Sequence, residues 1–190
     1  IETGENIINE IDVITTDGIL YLTNNVGCNF VRDYGITKVY VTAPNIEEIR
    51  NNSSLTVSSI GVLRYANLTL LSEDYETEEF YTNGDFILDL EVENLNITAN
   101  GFSNFFLTGS AIKANIALYS GNSRVEAADL FIQDLIVFHR STNKIIVNPQ
   151  MSIIGEIRSL GDVISKNEPP VVNIIEYYTV GLFLTSKFRK

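Results

Sequence analysis

A chain of 190 residues, 45% hydrophobic and 19% charged, has the composition of a folded globular protein. It is long enough for one domain that buries about 70% of its unfolded surface. Its net charge of −11 opposes a nucleic-acid partner and an anionic membrane surface, since both need clustered Lys and Arg.

The lone cysteine, Cys28, and the lone histidine, His139, leave no internal disulfide, no thiolate cluster and no multi-histidine metal site. No apolar run approaches the roughly 20 residues of a membrane-spanning helix. Residues 1–190 are read as a single domain. The chain opens at Ile1 with no cationic-apolar leader, which fits a removed signal peptide as well as a trimmed chain. Four Asn-x-Ser/Thr sequons, at Asn51, Asn52, Asn67 and Asn96, point to a secreted, extracellular glycoprotein. In that case Asn67 and Asn96 face outward, each in the polar phase of its strand.

From Glu5 the residues Ile7, Ile8, Ile11 and Ile14 fall at helical spacing and predict a helix, weakened by β-branched content and by Gly18. Cys28 follows in an apolar connector and is read as a small buried hydrophobe. Ile36 to Val41 alternates like a strand that Pro44 ends, and Asn45 to Asn52 reads as a polar loop. Ser54 to Leu71 is strand-like. Ser72 to Glu79, SEDYETEE, reads as a solvated hairpin tip, because like charges repel and stay wet. Asn83-Gly84 is a hairpin turn signal.

The most regular stretch runs from Asp85 to Tyr119. Phe86, Leu88, Leu90 and Val92 alternate with Ile87, Asp89 and Glu91, then the phase slips by one and Leu95 and Ile97 continue the apolar side. Such a slip is the mark of a β-bulge, which curls a strand. After Gly101, Ile112, Ala114, Ile116 and Leu118 resume the alternation. Val125 to Phe138 is a further long strand with a slip at Gln133-Asp134, and Lys144 to Ile157 another, with Pro149 at an edge or bulge. Together these predict a curved antiparallel meander.

Three segments echo one another: Tyr65 to Leu70, Val92 to Ile97 and Ile132 to Val137. Each reads apolar, any, Asn or Asp, Leu, any, apolar. Their spacing is unequal, which argues against a solenoid and for strands that bulge at one height. Toward the C-terminus the period turns helical. Leu160, Val163 and Ile164 share a face; past Pro169-Pro170, Val171, Ile174, Ile175, Tyr178 and Leu182 recur at helical spacing, with Val172, Val180, Phe183 and Leu184 opposite. A helix apolar all round must be wrapped on more than one side.

Catalytic signatures are missing. No Gly-x-Ser-x-Gly elbow, phosphate loop or Gly-x-Gly-x-x-Gly occurs, and nothing in the sequence brings Cys28 to His139 as a dyad. The chain is read as no enzyme, with no cofactor and no metal.

Two stretches carry a family resemblance. Glu93 to Phe106, ENLNITANGFSNFF, resembles the strand-and-turn segment of juvenile-hormone-binding and takeout-like proteins and of the group 7 mite allergens. Ser159 to Ile175, SLGDVISKNEPPVVNII, is similar to their C-terminal Leu-Gly-Asp segment, here Leu160, Gly161, Asp162 and Asn167. Takeout-like proteins carry a cysteine pair near the N-terminus, and this chain has Cys28 alone. The resemblance implies a tubular lipid-binding α+β fold, a long, highly curved antiparallel sheet wrapped around a long C-terminal helix. It implies a secreted carrier that holds a small hydrophobic ligand, such as a fatty acid, terpenoid or other lipid, in an apolar tunnel. The tunnel would be lined by Phe86, Leu88, Leu90, Phe102, Phe105, Phe106, Ile112, Ile116, Leu118, Ile174, Ile175 and Tyr178, with Tyr177, Tyr178 or His139 as a polar contact. No stable membrane insertion is expected, and a protein partner is left open. The alternative is a secreted structural or interaction protein, allergen-like, with a filled core and no ligand.

Overall fold

In the computed structural model, residues 1–5, 7–25, 37–75, 81–178 and 181–185 are described. The chain divides into two compact units, Ile1–Pro44 and Asn45–Lys190.

In the first unit a single 3-10 turn, Ile8–Glu10, leads into strands β1 (Ile11–Thr16) and β2 (Ile19–Asn24), which pair antiparallel. The helix predicted across this stretch is therefore a hairpin. Asp17 (φ 52°) and Gly18 (φ 79°) both adopt positive φ, the requirement of a tight two-residue turn whose twist matches its strands. The β-branched residues on either side favour the extended backbone. Ile36 lies outside the described residues. Beyond it, the strand predicted to Val41 is reduced to one bridge, in which Glu2 and Lys38 exchange backbone hydrogen bonds of 2.8 Å.

The second unit is a parallel β-solenoid. Its strands are β3 (Glu48–Arg50), β4 (Val57–Ser72), β5 (Phe86–Ala99), β6 (Asn104–Leu118), β7 (Arg124–His139), β8 (Ile145–Ile157), β9 (Val163–Ser165), β10 (Val171–Glu176) and β11 (Leu182–Leu184). Every pairing among them is parallel. The predicted α+β fold is thus corrected to an all-β coil. Period-two alternation reports that one face of a strand is buried, and says nothing of its direction. Short polar turns such as Ser120 to Ser123 look like hairpins, yet here they lift the chain by one level. Parallel neighbours need a long crossover. The bent strand supplies it, because each nearly completes a coil by itself.

The repeat is read from one inward column, Phe86, Phe105, Val125, Ile145, Val163 and Leu182, in steps of 19, 20, 20, 18 and 19 residues. A second column runs Leu68, Leu95, Ala114, Leu135 and Ile153, and none of these is more than 2% exposed. Phe86 and Phe105 stack with centroids 4.7 Å apart.

The phase slip is a corner. Registered pairs pass from Tyr65↔Val92 to Asn67↔Asn94, from Val92↔Ala111 to Asn94↔Lys113 and from Ala111↔Ile132 to Lys113↔Asp134. Ala66, Glu93, Ile112 and Gln133 fall between pairs at the same height. The three echoed segments are therefore the same corner on three coils. Their spacing is unequal because the sequence between the end of β4 at Ser72 and the start of β5 at Phe86 is longer than that between β5 and β6. A fourth copy, Ala111 to Ile116, carries Lys and Ala where the others carry Asn or Asp and Leu.

Backbone bonds continue the ladder through the turns. Phe102 donates to the Thr82 carbonyl (2.7 Å), Asn122 to Gly101 (2.7 Å) and Thr142 to Gly121 (3.0 Å). Inside the turns the buried Ser72 and Ser103 hydroxyls share a 2.6 Å hydrogen bond, and Ser141 donates to the Ser123 carbonyl at 2.7 Å.

Two further expectations are corrected. The polar stretch before Asn52 contains β3. The C-terminal segment, predicted as a long helix, forms β10 and β11, and Leu160 to Ile164 turns into β9. Val171, Val172, Ile174 and Ile175 satisfy helical spacing only because both faces of this short run are apolar. Four β-branched residues within five, behind Pro169-Pro170, favour a strand.

Candidate interaction surface

The residues expected to line a lipid tunnel are not gathered around one. Phe86, Leu88, Leu90, Phe105, Ile116 and Leu118 lie inside the coil, stacked on their neighbours above and below. Phe102, Phe106, Ile112, Ile175 and Tyr178 stand on the outside, and Ile174 is half-buried at the end of the core. Alternation sets Phe106 outside next to the buried Phe105, whereas Ile112 is turned out at the corner and Phe102 lies in a turn.

The recesses open outward instead. One, of about 450 Å³, runs over the outer face of β4 to β7, between Ser59, Ile87, Asp89, Phe106, Thr108 and Asp129. Within it Thr108 donates to the Asp89 carboxylate (3.2 Å), and the Asp89 amide donates to the Ser59 hydroxyl (3.0 Å). Arg124 pairs with Glu126 at its rim. The other, of about 510 Å³, lies at the corner between Arg64, Glu91, Glu93, Ile112, Phe131 and Gln133. Arg64 and Glu91 form a 2.9 Å ion pair there, and Phe131 is 53% exposed. A corner opens such a recess because the strand turns away and leaves its outward side chains splayed.

Register builds this surface. Outward residues of successive coils sit about 4.8 Å apart in columns. Asn94 donates to the Asn67 side chain (3.0 Å), Ser152 to Asp134 (2.6 Å), Asn148 to the Ala128 carbonyl (3.1 Å) and Asn167 to the Pro149 carbonyl (2.8 Å).

The three candidate polar contacts do not converge. Tyr177 lies outside under the Arg158 guanidinium, 4.0 Å from its ring centroid, and Tyr178 is exposed. His139 is fully buried between Leu118 and Ile157, and neither ring nitrogen makes a hydrogen bond. Burial pushes its imidazole from an ordinary 6.5 down to about 4. The backbone of Asn143 and Gly161 and the charge of Asp162 pull the other way and fall short. Gly161 is what makes room: a Cβ there would lie 2.4 Å from His139 Nε2. Cys28, and with it any approach to His139, lies outside the described residues.

The acidic run also departs from expectation at its start. Glu73 is buried and bonded to Arg50 at 2.5 Å, and Asp74 accepts from Asn100 at 2.5 Å. Ser72 to Asp74 thus belong to the packed turn, and residues 76–79 lie outside the described residues. Of the sequons, Asn67 is exposed and Asn96 half-buried on the outer face. Asn52 is half-buried. Asn51 is buried, donating to the Leu55 carbonyl (2.8 Å) and accepting from the Ser53 hydroxyl (2.8 Å). Among the described residues no three His, Cys, Asp or Glu side chains converge as metal ligands.

A family described as "Putative auto-transporter adhesin, head GIN domain" matches residues 1–169. The chain belongs to the head GIN domain family. A solved "putative adhesin" from Bacteroides fragilis shares the fold with a TM-score of 0.78 at 22% identity, over 94% of this chain and 78% of that one. No match was found among curated proteins. The head GIN assignment overturns the resemblance to juvenile-hormone-binding proteins, takeout-like proteins and mite allergens, and with it the lipid carrier. Each quoted segment spans a turn between strands of the coil, Gly101 in the turn before β6 and Gly161 in the turn before β9, three coils on, so the likeness was to a local turn and not to a tube. The family's description names an adhesin and its head domain.

Proposed function

We propose that this chain is an extracellular adhesion or interaction module that holds a macromolecular partner on its outer face and catalyses no reaction. The observation that carries this reading is the division of its surfaces. The inward columns are filled by stacked side chains, whereas both recesses open outward, one beside the exposed Phe106 and the other, at the corner, beside the exposed Ile112 and Phe131. Exposed aromatic and aliphatic side chains beside polar groups are what interfaces use as anchors. The net charge of −11 argues for a partner other than nucleic acid.

The test is retention of beads coated with the full chain on a panel of purified extracellular proteins and polysaccharides. Retention on at least one surface is expected, with loss of at least tenfold in Phe131→Asp and Ile112→Asp and none in Ile154→Asp, away from both recesses. Retention on no surface, or equal loss in all three variants at unchanged melting temperature, would refute the reading.

A further inference from the structure

We infer that the coil carries a second binding site, separate from both recesses, that takes a carboxylate-bearing polysaccharide. The site is a column at the strand ends. Ala99, Leu118, His139, Ile157 and Glu176 lie on one another as the last registered residues of their strands. The ladder runs on by one more residue. Tyr119 donates its N–H to the Ala99 carbonyl (2.9 Å), Arg140 to Leu118 (2.7 Å), Arg158 to His139 (2.7 Å) and Tyr177 to Ile157 (3.1 Å). Alternation turns Tyr119, Arg140 and Arg158 outward from the buried Leu118, His139 and Ile157 before them. With Tyr177 they form an exposed row of ring, guanidinium, guanidinium and ring. Successive members are one level, about 4.8 Å, apart. Tyr119 lies against Phe138 (centroids 5.2 Å apart) and edge-on to Tyr75 (6.1 Å). Tyr177 stacks under Arg158, and its hydroxyl accepts from that guanidinium at 2.9 Å. Arg158 also pairs with Glu156. Arg140 enters none of the ion pairs among the described residues.

The chemistry of the column selects the occupant. Asp and Glu outnumber Lys and Arg by 24 to 13, yet Arg140 stands uncompensated one level from the cation of Arg158. Like charges facing each other across a ladder are unfavourable, and an anion set against Arg140 relieves that. A guanidinium holds a carboxylate through two parallel N–H···O bonds. The net charge of −11 disfavours a partner charged at every step, as nucleic acid is. A peptide strand adds to an unpaired sheet edge, and here the backbone N–H groups of the column already bond the preceding coil. A polysaccharide needs no edge. Its pyranose rings present flat C–H faces that lie on exposed aromatic rings, and their hydroxyls stay in water. Tyrosine gives such contact at low entropic cost, and Tyr119 and Tyr177 are held in place by their neighbours before a ligand arrives. A glycan lying along the coil axis sets the carboxylate of one sugar on Arg140 and the face of the next on Tyr119. The site does not rest on the recesses, since none of these residues lines either.

The experiment titrates the full chain with oligogalacturonate, a polymer of one carboxylated sugar, and reads binding by isothermal calorimetry at low salt. The neutral methyl ester of the same oligomer and an oligoglutamate are the comparison ligands. Saturable binding of oligogalacturonate is expected, with the ester bound about tenfold more weakly or not at all. Arg140→Ala should weaken binding about tenfold, at an unchanged melting temperature because the side chain is exposed and unpaired. Arg140→Lys should restore part of that loss, since the charge stays and the two-pronged geometry goes. Tyr119→Ala should weaken binding about fivefold. Phe131→Asp and Ile112→Asp, in the corner recess, should leave this binding unchanged, so failure here and failure of the recess reading are separate results. No binding of oligogalacturonate, equal binding of its ester, or undiminished binding by Arg140→Ala would each overturn the proposal. Oligoglutamate bound as tightly as oligogalacturonate would put an acidic peptide in the place of the polysaccharide and overturn it as well. If Tyr119→Ala unfolds, Arg140→Ala and the ester still decide.

Discussion

Leu135 and Val172 occupy the same inward column two coils apart; among the described residues Leu135 has a coil on both sides and Val172 on one. The first is fully buried and the second is not. The column ending in Glu176 shows the same contrast. Its inner members Leu118, His139 and Ile157 are fully buried, and the terminal position holds an exposed charged residue. In a solenoid, position along the axis therefore governs what a side chain contributes, because burial comes from the next level and not from the strand itself.

Glycine provides the largest expected separation between inner and outer coils. Gly109 and Gly61 both have positive φ, 102° and 78°. A Cβ on Gly109 would lie 2.0 Å from the Leu90 carbonyl oxygen of the coil below, whereas one on Gly61 meets nothing within 4 Å. Gly109→Ala is expected to cost about 4 kcal/mol, backbone strain plus steric displacement. Gly61→Ala should cost about 1 kcal/mol, strain alone. Equal losses in chemical denaturation would show that the neighbouring coil is not the cause.

Truncation in the shared column comes next. Leu135→Ala is expected to lose about 3 kcal/mol, transfer and cavity terms together. Val172→Ala, at a position already 43% exposed, should lose under about 1 kcal/mol.

His139 sharpens the comparison through pH. Its neutral imidazole is buried in the native state, and its folded value of about 4 lies below the ordinary 6.5. Between these values the unfolded chain binds the extra proton, so stability is complete above pH 6.5 and falls as pH drops toward 4. The loss levels off below that at about 3 kcal/mol. His139→Leu should flatten this part of the stability profile relative to the parent chain. Parallel profiles for the two would mean that the imidazole is solvated.

The smallest effect is expected outside the coil. Arg64 and Glu91 are both well exposed, and Arg64→Ala should change stability by about 0.5 kcal/mol or less. A larger loss would mean that the outer columns help to hold the coils together.

What could be read in the residues was local. The inward positions Phe86, Leu88, Leu90, Leu95, Ile97 and Ile116 follow from alternation alone, and the slip after Val92 correctly marks a bend. Even the repeat was written in the chain, in the shared pattern at Tyr65, Val92 and Ile132. It was masked by the long insertion after Ser72 and by the copy at Ala111, where small Ala replaces Leu. The outer recesses were not legible. Their walls combine Asp89 with Thr108 and Asp129, or Glu91 with Phe131, and only the register of four strands makes these residues neighbours.

The direction of the strands was decided by tertiary structure. Alternating burial and short polar turns suit an antiparallel meander and a rising coil equally, since neither depends on which way the next strand runs. The C-terminal segment shows the same limit. A six-residue run apolar on both faces satisfies the spacing of a helix and of a strand, and it became β10 because the edge of β8 offered backbone partners. The amino-acid sequence by itself determined which side chains leave water and where each strand bends, because those follow from hydrophobicity and local sterics. Which strand lies beside which was left to the stacking of whole coils, where hydrogen bonds and side chains nineteen or twenty residues apart are satisfied at once.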